Sequence, residues 1–173
     1  MISAEVTDAA VEQAPGGRLG ELYLRHAPEA VRLAYVLTGD RSLAEDLVQD
    51  AFARLAGRFA HLRDPAAFDA YLRRTVVNLA YSYFRRRRVE RAYLEREGSL
   101  VRPNAPAGDP ETRDEVWTAL QRLPVRQRAA IALRFYEDLP DDRIADVLGC
   151  RPATVRSLIH RGLQTLRTEV TDA

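Results

Sequence analysis

Apolar side chains recur along this chain at three- and four-residue steps, and no stretch keeps the two-residue rhythm of a strand. From Leu19 onward, Leu22, Val31, Leu33, Tyr35, Val36 and Leu37 predict a first helix. Pro28 is its expected break or kink, and Thr38-Gly39-Asp40 its stop. Ser42-Leu43-Ala44-Glu45 reads as a capping box. The second helix it opens buries Leu43, Leu47, Ala51, Phe52, Leu55 and Phe59. Asp64-Pro65 starts a third helix, with an acceptor at the N-cap and proline at N1, and Phe68, Leu72, Val76, Leu79 and Tyr83 share one face of it.

Residues 98–108 carry Gly98, Pro103, Pro106 and Gly108 with few apolar side chains, the composition of a flexible linker. Asp109-Pro110 repeats the helix-start device ahead of Val116, Trp117, Leu120 and Leu123. Leu123-Pro124 interrupts that stripe, and the next helix runs to about Glu137 with Val125, Ala129, Ala132, Leu133 and Tyr136 inward. A short helix from Asp141 to Leu148, a Gly149-Cys150 turn and a helix opened by Pro152 make a helix-turn-helix. In the last helix Val155, Leu158, Ile159, Gly162, Leu163 and Leu166 turn inward. The expected fold is therefore all-α: two small helical domains joined by a flexible linker. A disordered tail covers 1–18, the first domain 19–97, and the helix-turn-helix domain 109–173. The chain ends at Ala173, directly after the last helix, so no further regulatory domain is expected.

Charge changes this picture locally. The net charge is only +1, so any nucleic-acid surface must be a patch. All 26 basic residues are arginine, the planar cation suited to phosphate and base edges. Cys150 is the single cysteine, and His26, His61 and His160 are scattered, so neither a disulfide, a metal nor a cofactor is expected. No apolar run approaches the ~20 residues of a membrane span, and no signal peptide is evident. A cytoplasmic protein without membrane contact follows as the expectation.

The third helix carries the densest candidate chemistry. A second stripe, Tyr71, Arg74, Asn78, Ser82 and Arg85, lies roughly 130° from the apolar one at about 100° per residue. It runs into Arg85, Arg86, Arg87, Arg88 and Arg91. Aromatic rings stack on unpaired bases, amides read base edges and guanidinium groups hold phosphate. Four consecutive arginines repel one another unless an anion compensates them. The second helix presents Glu45, Asp46, Gln49 and Asp50 opposite its apolar side, either as dipole electrostatics or as a docking surface for a basic partner. On the last helix Ala153, Arg156, Ser157, His160, Arg161 and Gln164 are left outward.

Two stretches together resemble a known family. Ala44-Glu45-Asp46-Leu47-Val48-Gln49-Asp50-Ala51-Phe52 resembles the polymerase-binding helix of extracytoplasmic-function sigma factors of the sigma-70 family. Leu123-Pro124-Val125-Arg126-Gln127-Arg128, Tyr136-Glu137-Asp138-Leu139 and Thr154-Val155-Arg156-Ser157 with His160-Arg161 resemble their promoter-reading domain. Leu37-Thr38-Gly39-Asp40 is similar to the actinobacterial members. The resemblance implies a non-enzymatic factor that docks the polymerase clamp helices and flap, reads −10 and −35 promoter elements and helps melt DNA. It also admits an anti-sigma protein as a further partner.

By the same resemblance, Asp46, Leu47, Gln49, Asp50 and Phe52 belong to the docking face. His61, Arg63, Tyr71, Arg74, Asn78, Arg85, Arg86, Arg87 and Arg88 belong to −10 binding, with the connection from His61 to Pro65 selecting an unpaired base. Arg151, Thr154, Arg156, Ser157, His160 and Arg161 belong to −35 binding. Tyr71 stands where the family usually has tryptophan, Ser82 where aspartate is common, and Leu158 where a basic residue is usual. The alternative is a stand-alone helix-turn-helix regulator, which needs no docking helix. A helical nuclease is a further rival, but no carboxylate cluster or nucleophile–base pair supports it.

Overall fold

The computed structural model describes residues 15–56, 65–96 and 115–171. Among these residues there are seven α-helices and no strand. Helices α1 (Pro15–Thr38), α2 (Arg41–Ala56) and α3 (Pro65–Arg96) form a first unit. Helices α4 (Glu115–Arg122), α5 (Val125–Ile131), α6 (Asp141–Leu148) and α7 (Pro152–Thr171) form a second. The expected linker over 98–108, the Asp109-Pro110 helix start, Asp64 and Phe59 lie outside the described residues.

Local physics moves several boundaries. Helix α1 already includes residues 15–18, which the sequence pattern assigns to the tail. Pro15 at its first position has no N–H for a helix start to leave unpaired. The helix also continues through Pro28 without a break. The carbonyl deprived of its donor belongs to Leu24, whose side chain is 78% exposed, while Ala27 and Ala30 are buried and hold the inner side. The capping box at Ser42 does not form. The chain re-enters a helix immediately after Gly39, which has φ +70°, so Asp40 becomes the cap and its Oδ1 accepts from the Leu43 N–H at 3.0 Å. Glu45 instead accepts from Arg41 Nε one turn earlier, at 3.1 Å.

Helix α5 passes into a wide π-helical turn over Ala132–Tyr136, closed by the Glu137 N–H donating to the Ala132 carbonyl at 3.1 Å. A turn of that width advances the helical phase. Tyr136, expected inward, is therefore exposed, while Ala129, Ala132 and Leu133 stay buried. Leu163, also expected inward, is exposed on α7 beside the buried Gly162.

The two units share one buried core. Leu33, Leu37, Leu55, Phe68, Leu72 and Val76 of the first join Leu133, Ile144 and Val155 of the second in a single apolar cluster. Specific contacts cross the boundary. The Tyr35 and Trp117 rings stack at 4.9 Å, Gln121 Nε2 donates to the Val36 carbonyl at 3.0 Å, and Arg73 Nε donates to Glu137 Oε2 at 2.8 Å. Burial opposes the Arg73 cation, but Glu137 and Asp69 outweigh it and hold the pKa above the ordinary arginine value.

Among the described residues Arg128 is the most deeply buried charged residue. It is 4% exposed and donates to the Leu37 carbonyl at 2.6 Å, to Gln121 Oε1 at 2.6 Å and to the Leu123 carbonyl at 3.0 Å. Burial lowers its pKa to about 10, which still leaves it charged near neutral pH.

Candidate nucleic-acid interface

Helix α3 turns Phe68, Leu72, Val76 and Leu79 into the core, as their spacing predicts, with Tyr83 half-buried. The opposite stripe is at the surface: Arg74, Asn78 and Arg85 are exposed, and Tyr71 and Ser82 are half-buried. Arg85, Arg86, Arg87 and Arg88 are all exposed at the far end of the helix. Arg87 alone of these leans back, donating from Nη1 to the Tyr83 hydroxyl at 3.2 Å with its guanidinium 5.7 Å from the Tyr83 ring centre. The helix thus carries Tyr71, Arg74, Asn78 and Arg85 along one side, with Arg86, Arg87 and Arg88 fanned around its exposed far end. His61 and Arg63 lie outside the described residues.

A recess of about 380 Å³ opens beside Asn78. Tyr81, Ser82 and Arg85 line it from α3, and Arg126 and Leu148 from the second unit. The Arg126 guanidinium lies 5.8 Å from the Tyr81 ring centre and donates to the Leu148 carbonyl at 3.1 Å. Among the described residues the buried Tyr81 hydroxyl has no hydrogen-bond partner. Burial pushes its pKa up to about 12 against the lowering effect of Arg126. The sequence pattern points to Asn78 and Ser82 but not to the second unit's share of this recess.

Helix α2 exposes Asp46, Gln49 and Asp50 together, one turn apart. Leu47 and Phe52, grouped with them by the sequence, are buried beneath that face. Phe52 packs edge-on against Tyr23 at 4.9 Å and tilted against Phe68 at 5.9 Å, so its part is to fix the helix that carries the acids. An open groove of about 660 Å³ lies beside them, with Tyr23, Leu24, Val31 and Tyr35 from α1 facing Glu45 and Gln49. Sequence reasoning missed this groove. Its signal was the consecutive Leu22-Tyr23-Leu24, too wide for one buried stripe.

The helix-turn-helix takes the expected form. Gly149 has φ +60° and ψ +44°, the left-handed cap that ends α6, and the Cys150 N–H donates to the Ala145 carbonyl at 3.0 Å. The Arg151 carbonyl accepts from the N–H groups of Thr154 and Val155, which starts α7. Arg151, Thr154, Arg156, Ser157, His160 and Arg161 are all exposed on that helix or its cap, and Leu158 is half-buried toward the core. Arg156 Nη1 reaches Asp141 Oδ2 at 3.3 Å, and Asp141 also pairs closely with Arg134. Arg156 remains 65% exposed, so the pair holds it lightly. Among the described residues no helix is long and apolar enough to cross a membrane.

Comparison with known proteins gives these surfaces a context. A family model of sigma-70 region 2 matches residues 22–90, and one of sigma-70 region 4 matches residues 113–166. The ECF RNA polymerase sigma factor SigE of Mycolicibacterium smegmatis is 37% identical over 172 residues, covering 94% of this chain, which spans 65% of that relative's length. The RNA polymerase sigma-E factor of Streptomyces coelicolor is 34% identical over 155 residues, 87% of this chain and 85% of the relative. The sigma factor RpoE of Bartonella quintana, solved with the anti-sigma factor NepR, shares the fold with a TM-score of 0.70 at 23% identity. That likeness covers 89% of this chain and 97% of that one.

Proposed function

Because the chain belongs to the extracytoplasmic-function sigma factors of the sigma-70 family, we propose that it binds bacterial RNA polymerase core and directs it to promoters. It reads −10 and −35 elements and helps to melt the DNA, with no catalytic residues of its own. The carrying observation is the placement of three exposed surfaces on one chain: acids on α2, an amide–arginine stripe on α3, and a helix-turn-helix arc on α7.

Each surface has one role. Asp46, Gln49 and Asp50 meet basic groups on the polymerase clamp helices, with Leu47 and Phe52 holding their helix in place. Asn78 offers both a donor and an acceptor to a base edge. Tyr71 and the arginines from Arg74 to Arg88, with His61 and Arg63, hold the opened strand through stacking and phosphate contacts. Capturing bases and phosphates offsets the unstacking cost of strand opening without ATP. Arg156, Ser157 and His160 face the −35 major groove, with Arg151, Thr154 and Arg161 at its margins. An anti-sigma protein is a natural antagonist of these surfaces.

A stand-alone regulator would bind duplex DNA without polymerase, so run-off transcription with purified core polymerase on a genomic promoter library tests the reading. Specific transcripts that require the chain are expected. Specific duplex binding by the chain alone, with no transcripts added to core, would contradict it.

A further inference from the structure

Arg85 of α3 and Arg126 of α5 line one recess of about 380 Å³, completed by Asn78, Tyr81 and Ser82 of α3 and by Leu148 of α6. Among the described residues no carboxylate lines it, and neither arginine is in an ion pair. Other arginines in the two units are compensated: Arg73 pairs with Asp69 and Glu137, and Arg134 with Asp141. Arg126 is held in place without being saturated. Its guanidinium lies 5.8 Å from the Tyr81 ring centre, and its Nη2 donates to the Leu148 carbonyl at 3.1 Å. Most of its five N–H donors stay open. Arg85 and Asn78 are exposed and Ser82 half-buried beside it.

The recess therefore offers two guanidinium groups, a hydroxyl and an amide, with few acceptors and two uncompensated positive charges. A ligand that fits brings oxygens and negative charge. A phosphate monoester carries about −1.5 to −2 near neutral pH and presents three acceptor oxygens, and guanidinium groups take such oxygens in bidentate pairs. A diester of a nucleic-acid backbone has a single charge and leaves one of the two cations unmatched. The volume lies in the lower part of the ~300–1,000 Å³ of small-molecule sites, more than a bare phosphate fills. Asn78 can donate to and accept from a base edge, and Leu148 supplies an apolar edge for a ring. We propose that this recess binds a free nucleoside monophosphate, its phosphate between Arg85 and Arg126 and its base against Asn78. Asn78 and Arg85 also serve the −10 strand in the function proposed above, so on that reading nucleotide and opened strand exclude one another. The affinity itself does not rest on that reading, because it belongs to the chain alone.

Equilibrium dialysis of the full chain, without polymerase, against each of the four ribonucleoside 5′-monophosphates tests the site. At least one should bind one-to-one, at least tenfold more tightly than its unphosphorylated nucleoside. It should also bind at least fivefold more tightly than a dinucleoside monophosphate, whose sole phosphate is a diester like that of a strand. Ser82→Asp sets a carboxylate beside the arginines and should weaken binding at least tenfold. Arg126→Gln should weaken it at least fivefold, with Arg126→Lys between Arg126→Gln and wild type, because an ammonium keeps the charge but loses the planar fork. Thermal melts check the fold of each variant, and Arg126 is exposed, so its variants keep the test open if Ser82→Asp does not fold. Saturation by none of the four nucleotides would overturn the proposal. So would equal affinity for monoester and diester, or a folded Arg126→Gln chain that binds like wild type. In a separate arm the bound nucleotide should weaken a single-stranded −10 oligonucleotide on the chain–core complex at least threefold. Failure of that oligonucleotide to bind at all, with nucleotide binding intact, would refute the −10 reading and leave the site standing.

Discussion

Arg128 and Leu37 are 91 residues apart in the chain, yet an Arg128 Nη1 donates to the Leu37 carbonyl at 2.6 Å across the boundary between the two helical units. The same guanidinium also holds the Gln121 side chain and the Leu123 carbonyl. Replacing Arg128 by methionine preserves much of its length but strips every one of these bonds. Each buried acceptor left unpaired costs about 1–3 kcal/mol, so the variant should unfold at markedly lower urea. Arg128→Lys should fall between, because an ammonium has three donors on one nitrogen where the guanidinium spreads five over a planar fork. Wild-type stability in Arg128→Met would show that the bonds contribute nothing net.

Gly162 of α7 packs directly against α5. A Cβ there would lie 2.6 Å from Ile131 Cδ1 and 3.3 Å from Gln127 Cβ. Alanine normally favours a helix over glycine by about 1 kcal/mol, but overpacking costs about 1–3 kcal/mol. Gly162→Ala is therefore expected to destabilise on balance in denaturant titration. Adding Ile131→Val, which removes the opposing Cδ1, should recover part of the loss. A stabilised Gly162→Ala would contradict the packing.

These two residues show what the sequence could and could not disclose. The stripe of Phe68, Leu72, Val76 and Leu79 and the Gly149 turn were legible because periodicity and glycine chemistry are local. Arg128 was not, since an arginine between Gln127 and Ala129 reads as one more exposed charge until its distant carbonyl partners are known. Tyr136 was misplaced because a single π-helical turn shifts every later residue in phase. Ser42 lost its capping role to Asp40, a stronger acceptor placed just ahead of it. Within the candidate site, the exposure of Asn78 and Arg156 follows from helical counting, but the approach of Arg126 and Gly149 to α3 is a tertiary event with no local signal.

Asp50 is exposed and makes no described ion pair, so its charge is available to a partner. Asp50→Arg should leave stability within about 0.5 kcal/mol. Its affinity for core polymerase should fall at least tenfold, equivalent to about 1.4 kcal/mol. A fluorescence titration against core polymerase checks this; unchanged affinity would move docking away from α2.

Arg156 is held by Asp141 at 3.3 Å but stays largely exposed. A bidentate arginine–guanine contact contributes about 1–3 kcal/mol of discrimination, whereas a phosphate contact weakens all sequences alike. Arg156→Ala should therefore reduce transcription from promoters with both elements and spare templates on which the −35 sequence contributes nothing. Equal loss on both templates would assign Arg156 elsewhere.

Promoter opening rests on Asn78, exposed midway along the α3 stripe and beside the recess shared with Arg126. Permanganate reactivity of −10 thymines in a duplex promoter, with core polymerase and either wild-type or Asn78→Ala chain, measures that opening directly. The account predicts a large drop in reactivity for Asn78→Ala while the promoter stays bound, with partial recovery on a pre-melted −10 bubble. Thymine reactivity equal to wild type on the duplex would contradict it and leave α3 a structural helix.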